Sequence, residues 1–429
     1  MFLNAMEWQR QIYVNGVGGA KPIVPTTWEE LEKKAARRLS KPAWAYIGGG
    51  AGHGDTMAQN REGFLQWGIV PRMLCDVSQR DTSIYLFGQQ LPSPFLLCPI
   101  GVLEMAHTDA DVAVARAAAN MGVPYIFSSQ ASVKMETCAA AMGAGQRWFQ
   151  LYWSKSNDLT FSFVQRAEAC GCTAIVVTLD TTLLGWRTAD LDLAYLPFLQ
   201  GKGIAQYTSD PVFNQLLHHP PSADAAPPAP KPKIGLSTIK TLFSLAKNYP
   251  NGSFLSNLLS GEPLRAVRQF TTIYSRPSLT WADLRLLRQY TRLPILLKGI
   301  MHPNDAQHAL DEGIDGIIVS NHGGRQIDGG ASTIELLPRI AAAVGGKIPV
   351  LLDSGIRGGA DAFKALALGA SAVCIGRPYV YALAIAGQAG VETLLQHYIS
   401  DFELTMALAG CCSVQDINRH ALMDLQENS

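Results

Sequence analysis

The sequence predicts an α/β fold of the (β/α)8 or TIM-barrel kind, with an N-terminal helical extension and a long insertion after the fourth strand. Three observations lead there. From residue 95 onward short apolar runs alternate with segments of helical period, there are eight of those runs, and each ends in small or polar residues. Runs that are apolar on both faces suit strands of a parallel sheet covered by helices, and eight such units suit a closed barrel. The rival architecture, a doubly wound open sheet, places a Gly-rich dinucleotide turn after its first strand. Pro99-Ile100-Gly101 is no such turn.

Taken in order, the strands are read at 95 to 100, 124 to 128, 147 to 152, 174 to 179, 294 to 298, 316 to 320, 349 to 353 and 372 to 376. Asp109 to Met121 and Gly359 to Leu368 are the clearest intervening helices. Residues 1 to 90 form the extension, with a helix over Trp28 to Leu39 and a glycine-rich loop over Tyr46 to Gly52, and residues 91 to 429 form the barrel. Within the barrel, 185 to 279 is a lid-like insertion. It holds a proline tract, 220 to 232, that cannot make regular hydrogen-bonded structure. Beyond it Ile239, Leu242, Phe243 and Ala246 have the spacing of an amphipathic helix, expected to pack on the barrel or a neighbouring subunit rather than on a membrane.

Thirty-five basic and thirty-five acidic residues cancel in a chain of 429 that is 48% hydrophobic. Without a basic field no nucleic-acid partner is expected, and a small molecule is. No apolar stretch reaches the roughly 18 residues of a spanning helix. The N-terminus, with Glu7 and Arg10 close behind Met1, lacks a signal-peptide core, so a cytoplasmic location is expected. Eight scattered cysteines without a CxxC pair read as reduced core thiols, and no metal site is expected.

The strand ends carry the chemistry. Around the rim they supply Gly101 after Pro99 and Ile100, Ser128, Gln150 with Tyr152, Thr178 with Asp180, Lys298, Ser320 with His322, Asp353 with Gly355, and Gly376 with Arg377. A barrel enzyme keeps its site at this C-terminal mouth. Asp353-Ser354-Gly355-Ile356-Arg357 and Gly376-Arg377, after strands seven and eight, have the amides and guanidiniums of a phosphate site. His322, beside two glycines and on the same rim as Asp180, suits a general base, though a lone histidine is more often structural. Lys298 suits either a Schiff-base lysine or a fixed cation. Arg187 and Arg325 are candidates for a carboxylate clamp, and Tyr46 and Tyr152 for hydroxyl donors.

At these residues the chain resembles the FMN-dependent 2-hydroxy-acid oxidase and dehydrogenase family. The likeness runs from about Trp28 to Arg419 and rests on SNHGGRQ at 320 to 326, with LPILLKGI at 293 to 300, FQLY at 149 to 152, TLDT at 178 to 181, DSGIR at 353 to 357 and IGRP at 375 to 378. The resemblance implies FMN as cofactor and a small 2-hydroxy acid with O2 as partners. It makes His322 the base, Asp180 the group that stabilises its imidazolium, Arg187 and Arg325 the carboxylate clamp, and Tyr46 and Tyr152 further substrate contacts. Lys298 would face the flavin; Pro99, Ile100, Gly101, Ser128, Gln150, Thr178 and Ser320 would lie about its ring, Asp353 at the ribityl chain, and Gly355, Arg357, Gly376 and Arg377 at the phosphate.

Within the family, Leu184 to Arg187, Pro197 to Gly201 and Thr208 to Phe213 are similar to the lactate 2-monooxygenases, which implies oxidation of lactate by O2 to acetate, CO2 and water. Gly101, where most relatives have alanine, would then leave room beside the flavin. The alternatives are an oxidase releasing 2-keto acid and H2O2, a quinone- or cytochrome-linked dehydrogenase, a non-catalytic flavin-binding barrel, or a Schiff-base aldolase. A homotetramer or homo-octamer is implied by the same resemblance.

Overall fold

The computed structural model describes residues 2–218, 235–250 and 252–426. Among them, eight parallel strands close into one barrel: β1 (Phe95–Leu97), β2 (Tyr125–Phe127), β3 (Arg147–Leu151), β4 (Ile175–Thr178), β5 (Ile295–Lys298), β6 (Gly316–Val319), β7 (Val350–Leu352) and β8 (Ala372–Ile375). Each pairs with its neighbours in sequence, and β8 closes on β1 through the register Val373 to Phe95 and Ile375 to Leu97. The predicted runs are thus all strands, each shortened by one to three residues at its ends. All residues of β4, β5, β6 and β8 are buried, since helices cover the outer face and packed side chains fill the interior.

Helices follow the strands, among them Ala110–Met121, Asn157–Ala169, Pro303–Asp311, Thr333–Val344 and Gly359–Ala367. The last, Arg377–Leu408, is interrupted by non-helical backbone at Ala386 and Gly387. A hairpin, Ile84–Leu86 with Gln89–Leu91, carries Phe87 at its turn, and that ring meets Trp148 at 5.6 Å to cover the N-terminal end of the barrel. The mouth is therefore left at the other end.

Two expectations need correction. Tyr46, Ile47 and Gly48 are not loop but the last turn of a helix, Lys41–Gly48, which starts at a Ser40 cap and buries Ala43, Tyr46 and Ile47 on one face. That apolar face outweighs the cost of a terminal glycine. In the insertion the expected amphipathic segment is helical, Leu236–Asn248, but of its expected face only Ala246 is buried, together with Leu245 and, just past the helix, Tyr249. Ile239, Leu242 and Phe243 are exposed. The proline tract at 220 to 232 lies outside the described residues. No helix among the described residues is long and apolar enough to cross a membrane.

Phe402, on the final helix, is fully buried and packs edge-on against Phe95 of β1 at 5.9 Å. Phe402→Ala should destabilise the fold by about 3–5 kcal/mol, the usual cost of deleting a buried ring. Chemical denaturation of the FMN-loaded protein reads this as a lowered midpoint with an unchanged slope.

Candidate active site

Four adjacent strands bring the reactive groups together. β5 ends in Lys298, whose Nζ donates to Ser320 Oγ at 2.6 Å and lies 2.9 Å from Asp353 Oδ2 and 4.0 Å from Asp180 Oδ2. The other Asp180 oxygen is 2.9 Å from His322 Nδ1. His322 reaches this position with a left-handed backbone, φ 57°, its own N–H donating to Ser320 Oγ at 3.1 Å. A non-glycine residue there signals strain held by its surroundings, and it occurs where the chemistry would be.

The charges tune one another. Burial pushes the Asp180 carboxyl up, but the cationic forms of His322 and Lys298 outweigh it and hold the group below the usual carboxylate range. Burial pulls Lys298 down, yet Asp353 and Asp180 reverse this and keep it an ammonium. At His322 burial wins: Asp180 supports the protonated form, while Lys298 and Arg187 add to the desolvation, and the imidazole titrates below its ordinary value. The pair is thus an ionised carboxylate beside a neutral imidazole at neutral pH. Burial, then the Asp180 charge, raises Tyr152 to about 12, so it remains a hydroxyl donor.

Across the mouth, Arg187 and Arg325 flank the ring of Tyr46 at 5.9 and 5.0 Å. Arg325 donates to the carbonyls of Tyr46 and, at 3.0 Å, Gly49. Burial, with Arg187 and Arg377 nearby, pushes Arg325 down to about 9, which expresses how strongly this corner favours an anion. Beyond β7, Ser354 and Gly355 have φ of 73° and 92°, and the left-handed backbone at Ser354 marks strain held by its surroundings. Arg357 stacks over Trp28 at 4.2 Å. Arg377 donates to the carbonyls of Ile47 at 3.1 Å, Gly49 at 2.8 Å and Gly323 at 2.8 Å.

One cavity joins these groups, with about 1410 Å³ of space counted to its open mouth. Tyr46, Pro99, Ile100, Gly101, Tyr152, Arg187, Lys298, His322, Arg325, Asp353, Gly355, Arg357, Gly376 and Arg377 all line it. Ser128, Gln150, Thr178 and Ser320 are not on its wall. They are buried, the first three joined as Ser128 Oγ to Gln150 Oε1 and Gln150 Nε2 to Thr178 Oγ1, each 3.0 Å. Asp180 stands behind His322.

The reading of Gly101 as free space is overturned. A methyl there would lie 2.7 Å from the Gln130 carbonyl oxygen, so the glycine lets the β1 and β2 loops touch and the space is filled by protein. Sequence reasoning also missed as cavity residues Leu183 and Leu184 of the loop after β4, Phe198 and Tyr274 of the insertion, and Cys98, whose thiol meets Asp353 at 3.7 Å. Cys98 had a signal in its place in the first apolar run, and Leu184 and Phe198 in the family-like segments that contain them.

A closed barrel whose rim joins a carboxylate-backed imidazole, a buried ammonium and an anion corner is a cofactor-dependent barrel enzyme. The chain belongs to the FMN-dependent dehydrogenase family, whose model matches residues 35–424. It is 40% identical over 404 residues to an L-lactate oxidase of Lysinibacillus sphaericus, covering 94% of both chains. It is 39% identical over 421 residues to an FMN-dependent alpha-hydroxy acid dehydrogenase of Penicillium citrinum, covering 98% of this chain and 96% of that one. Among solved structures, mandelate oxidase with (S)-4-hydroxymandelic acid superposes with a TM-score of 0.75 at 34% identity, over 93% of this chain and 98% of that one.

The residues present fit the FMN that this family implies. An ammonium held at Lys298 suits an electron-poor ring that gains negative charge, and the Arg357 and Arg377 guanidiniums beside the Gly355 and Gly376 backbone on the cavity wall suit a phosphate. Arg357→Ala should weaken FMN binding about 10- to 100-fold, the worth of a charge-assisted hydrogen bond. Fluorescence titration of the apoprotein with FMN measures it.

Proposed function

We propose that this enzyme oxidises an L-2-hydroxy acid at FMN, with O2 as the final acceptor. The observation that carries the reading is the His322 to Asp180 contact of 2.9 Å on the cavity shared with Arg187 and Arg325. The guanidiniums hold the carboxylate, and Tyr46 and Tyr152 hold the substrate's oxygens. This sets the C2 centre toward His322, which removes a proton while Asp180 stabilises the imidazolium. When bound, FMN supplies a two-electron acceptor. Lys298 keeps a positive charge at its edge of the site throughout.

The finer reading is a lactate 2-monooxygenase. It is supported by the segments at 184 to 187, 197 to 201 and 208 to 213 and by the wall that Phe198, Tyr274, Leu183 and Leu184 raise around the cavity, while the L-lactate oxidases among the relatives support lactate as the substrate. Such a wall favours retention of pyruvate until oxygen has reacted, giving acetate and CO2. Lactate turnover by the purified enzyme should yield these; pyruvate with stoichiometric H2O2 would make it a simple oxidase.

His322 must be neutral to act. Protonation takes hold only below its lowered pKa, so kcat/KM should stay flat from neutral pH to below 6.5, the ordinary histidine value, and then fall tenfold per pH unit. Asp180→Asn removes the charge that supports protonation, moving this acid limb further down while the plateau drops. His322→Gln should cost about 10²–10⁴ in kcat/KM. Stopped-flow reduction of the flavin as a function of pH checks all three.

A further inference from the structure

Gln326 takes no part in the chemistry above, yet its amide is fully committed. A glutamine side chain offers two donors and two acceptor positions. Nε2 donates to the carbonyls of Asp180 at 2.5 Å and Leu183 at 2.8 Å. Oε1 accepts from Gly185 N at 3.3 Å and Arg187 Nη2 at 3.2 Å. All four bonds go to one loop, the stretch after β4 that begins with the base's partner and ends with half of the carboxylate clamp.

Between its two ends, apolar packing holds that loop only weakly. Leu183 is 67% exposed and Trp186 72%, so apolar packing contributes little there. Its other ties include Gly52 N–H to the Trp186 carbonyl at 2.9 Å and Arg187 Nε to the Arg325 carbonyl at 3.3 Å, with Asp180 held at one end by His322 and Arg187 at the other by the Tyr46 ring. Gly185 permits the close approach, because a methyl at that position would come within 2.5 Å of the Arg325 carbonyl oxygen and 2.7 Å of that of Gln326. The loop thus lies on the backbone of residues 325 and 326, with the Gln326 amide as its fastening.

We propose that Gln326 is a positioning residue that sets Asp180 and Arg187 together, coupling the proton-accepting half of the site to the carboxylate-binding half. The inference rests on the hydroxy-acid reading. It treats the register of the 180 to 187 loop as the quantity the amide controls, so that losing the amide misplaces the clamp first and the dyad second.

Two variants separate this from a filling role. Gln326→Ala should raise KM for lactate, and the dissociation constant of the unreactive carboxylate oxalate, each by about tenfold or more, with a smaller fall in kcat, as expected for loss of about 1–2 kcal/mol of orientation. Gln326→Glu keeps the shape but has no N–H. Its carboxylate would face two carbonyls and draw Arg187 to itself, whereas its protonated form regains one donor. The kcat/KM of Gln326→Glu relative to wild type should therefore recover as pH falls.

FMN content and thermal melting confirm that each variant is folded. An unchanged oxalate affinity in folded Gln326→Ala, or a Gln326→Glu profile parallel to wild type, would overturn the proposal. A wild-type enzyme whose flavin no 2-hydroxy acid reduces would end the functional reading instead, a result separable from either.

Discussion

An ammonium sealed among barrel strands costs several kcal/mol unless anions surround it, and Lys298 has Asp353 at 2.9 Å and Asp180 at 4.0 Å. The rest of the site depends on this cluster. One cation against two carboxylates leaves a single negative charge in excess, and the Asp180 oxygen turned toward His322 carries it. A proton arriving on the imidazole completes the neutralisation. Before it arrives, burial, Lys298 and Arg187 keep the ring neutral, so in the proposed reaction the dyad would be a base at rest and a stabilised cation after use. Because Asp180, Lys298, His322 and Asp353 follow β4, β5, β6 and β7, the closure of the barrel sets their spacing.

The opposite wall is built on an imbalance. Arg187, Arg325 and Arg377 converge near Tyr46, and two of them use backbone carbonyls rather than carboxylates as their main partners. Carbonyls satisfy the N–H groups without cancelling the charge. Asp190, buried close by, leaves its Oδ1 without a hydrogen bond and offsets the charge only through space. A carboxylate entering this corner relieves repulsion that folding alone left in place, which is how an uncompensated cation cluster becomes a binding site.

Much of this was legible in the chain. The eight strands show because each is buried on both faces, so the apolar runs are uninterrupted, and at β5, β7 and β8 the run's end supplies a cavity residue, Lys298, Asp353 and Gly376. His322, Asp180, Lys298, Arg187 and Arg325 were found by that rule or through the family likeness. Tyr46 was placed in a loop because three glycines follow it, while the cap at Ser40 and the buried face that extend the helix to Gly48 act through contacts. Tyr274 was invisible for a different reason. It comes from the insertion, where no strand register relates sequence position to the mouth, and only packing brings it to the cavity.

What local pattern conceals most is how the loops interlock. The missing methyl at Gly101 reads as space beside a cofactor, but the space belongs to Gln130 of the next loop. Gly185 reads as a flexible point, but it lets one loop lie on the backbone of another. In both cases the glycine is needed because main chain meets main chain at a distance that a Cβ would prevent. Such contacts join the β1 loop to the β2 loop and the β4 loop to the β6 loop. A side chain on the rim is therefore positioned by its neighbour's backbone as much as by its own strand, and the geometry of this site belongs to the ring of loops as a whole rather than to any one of them.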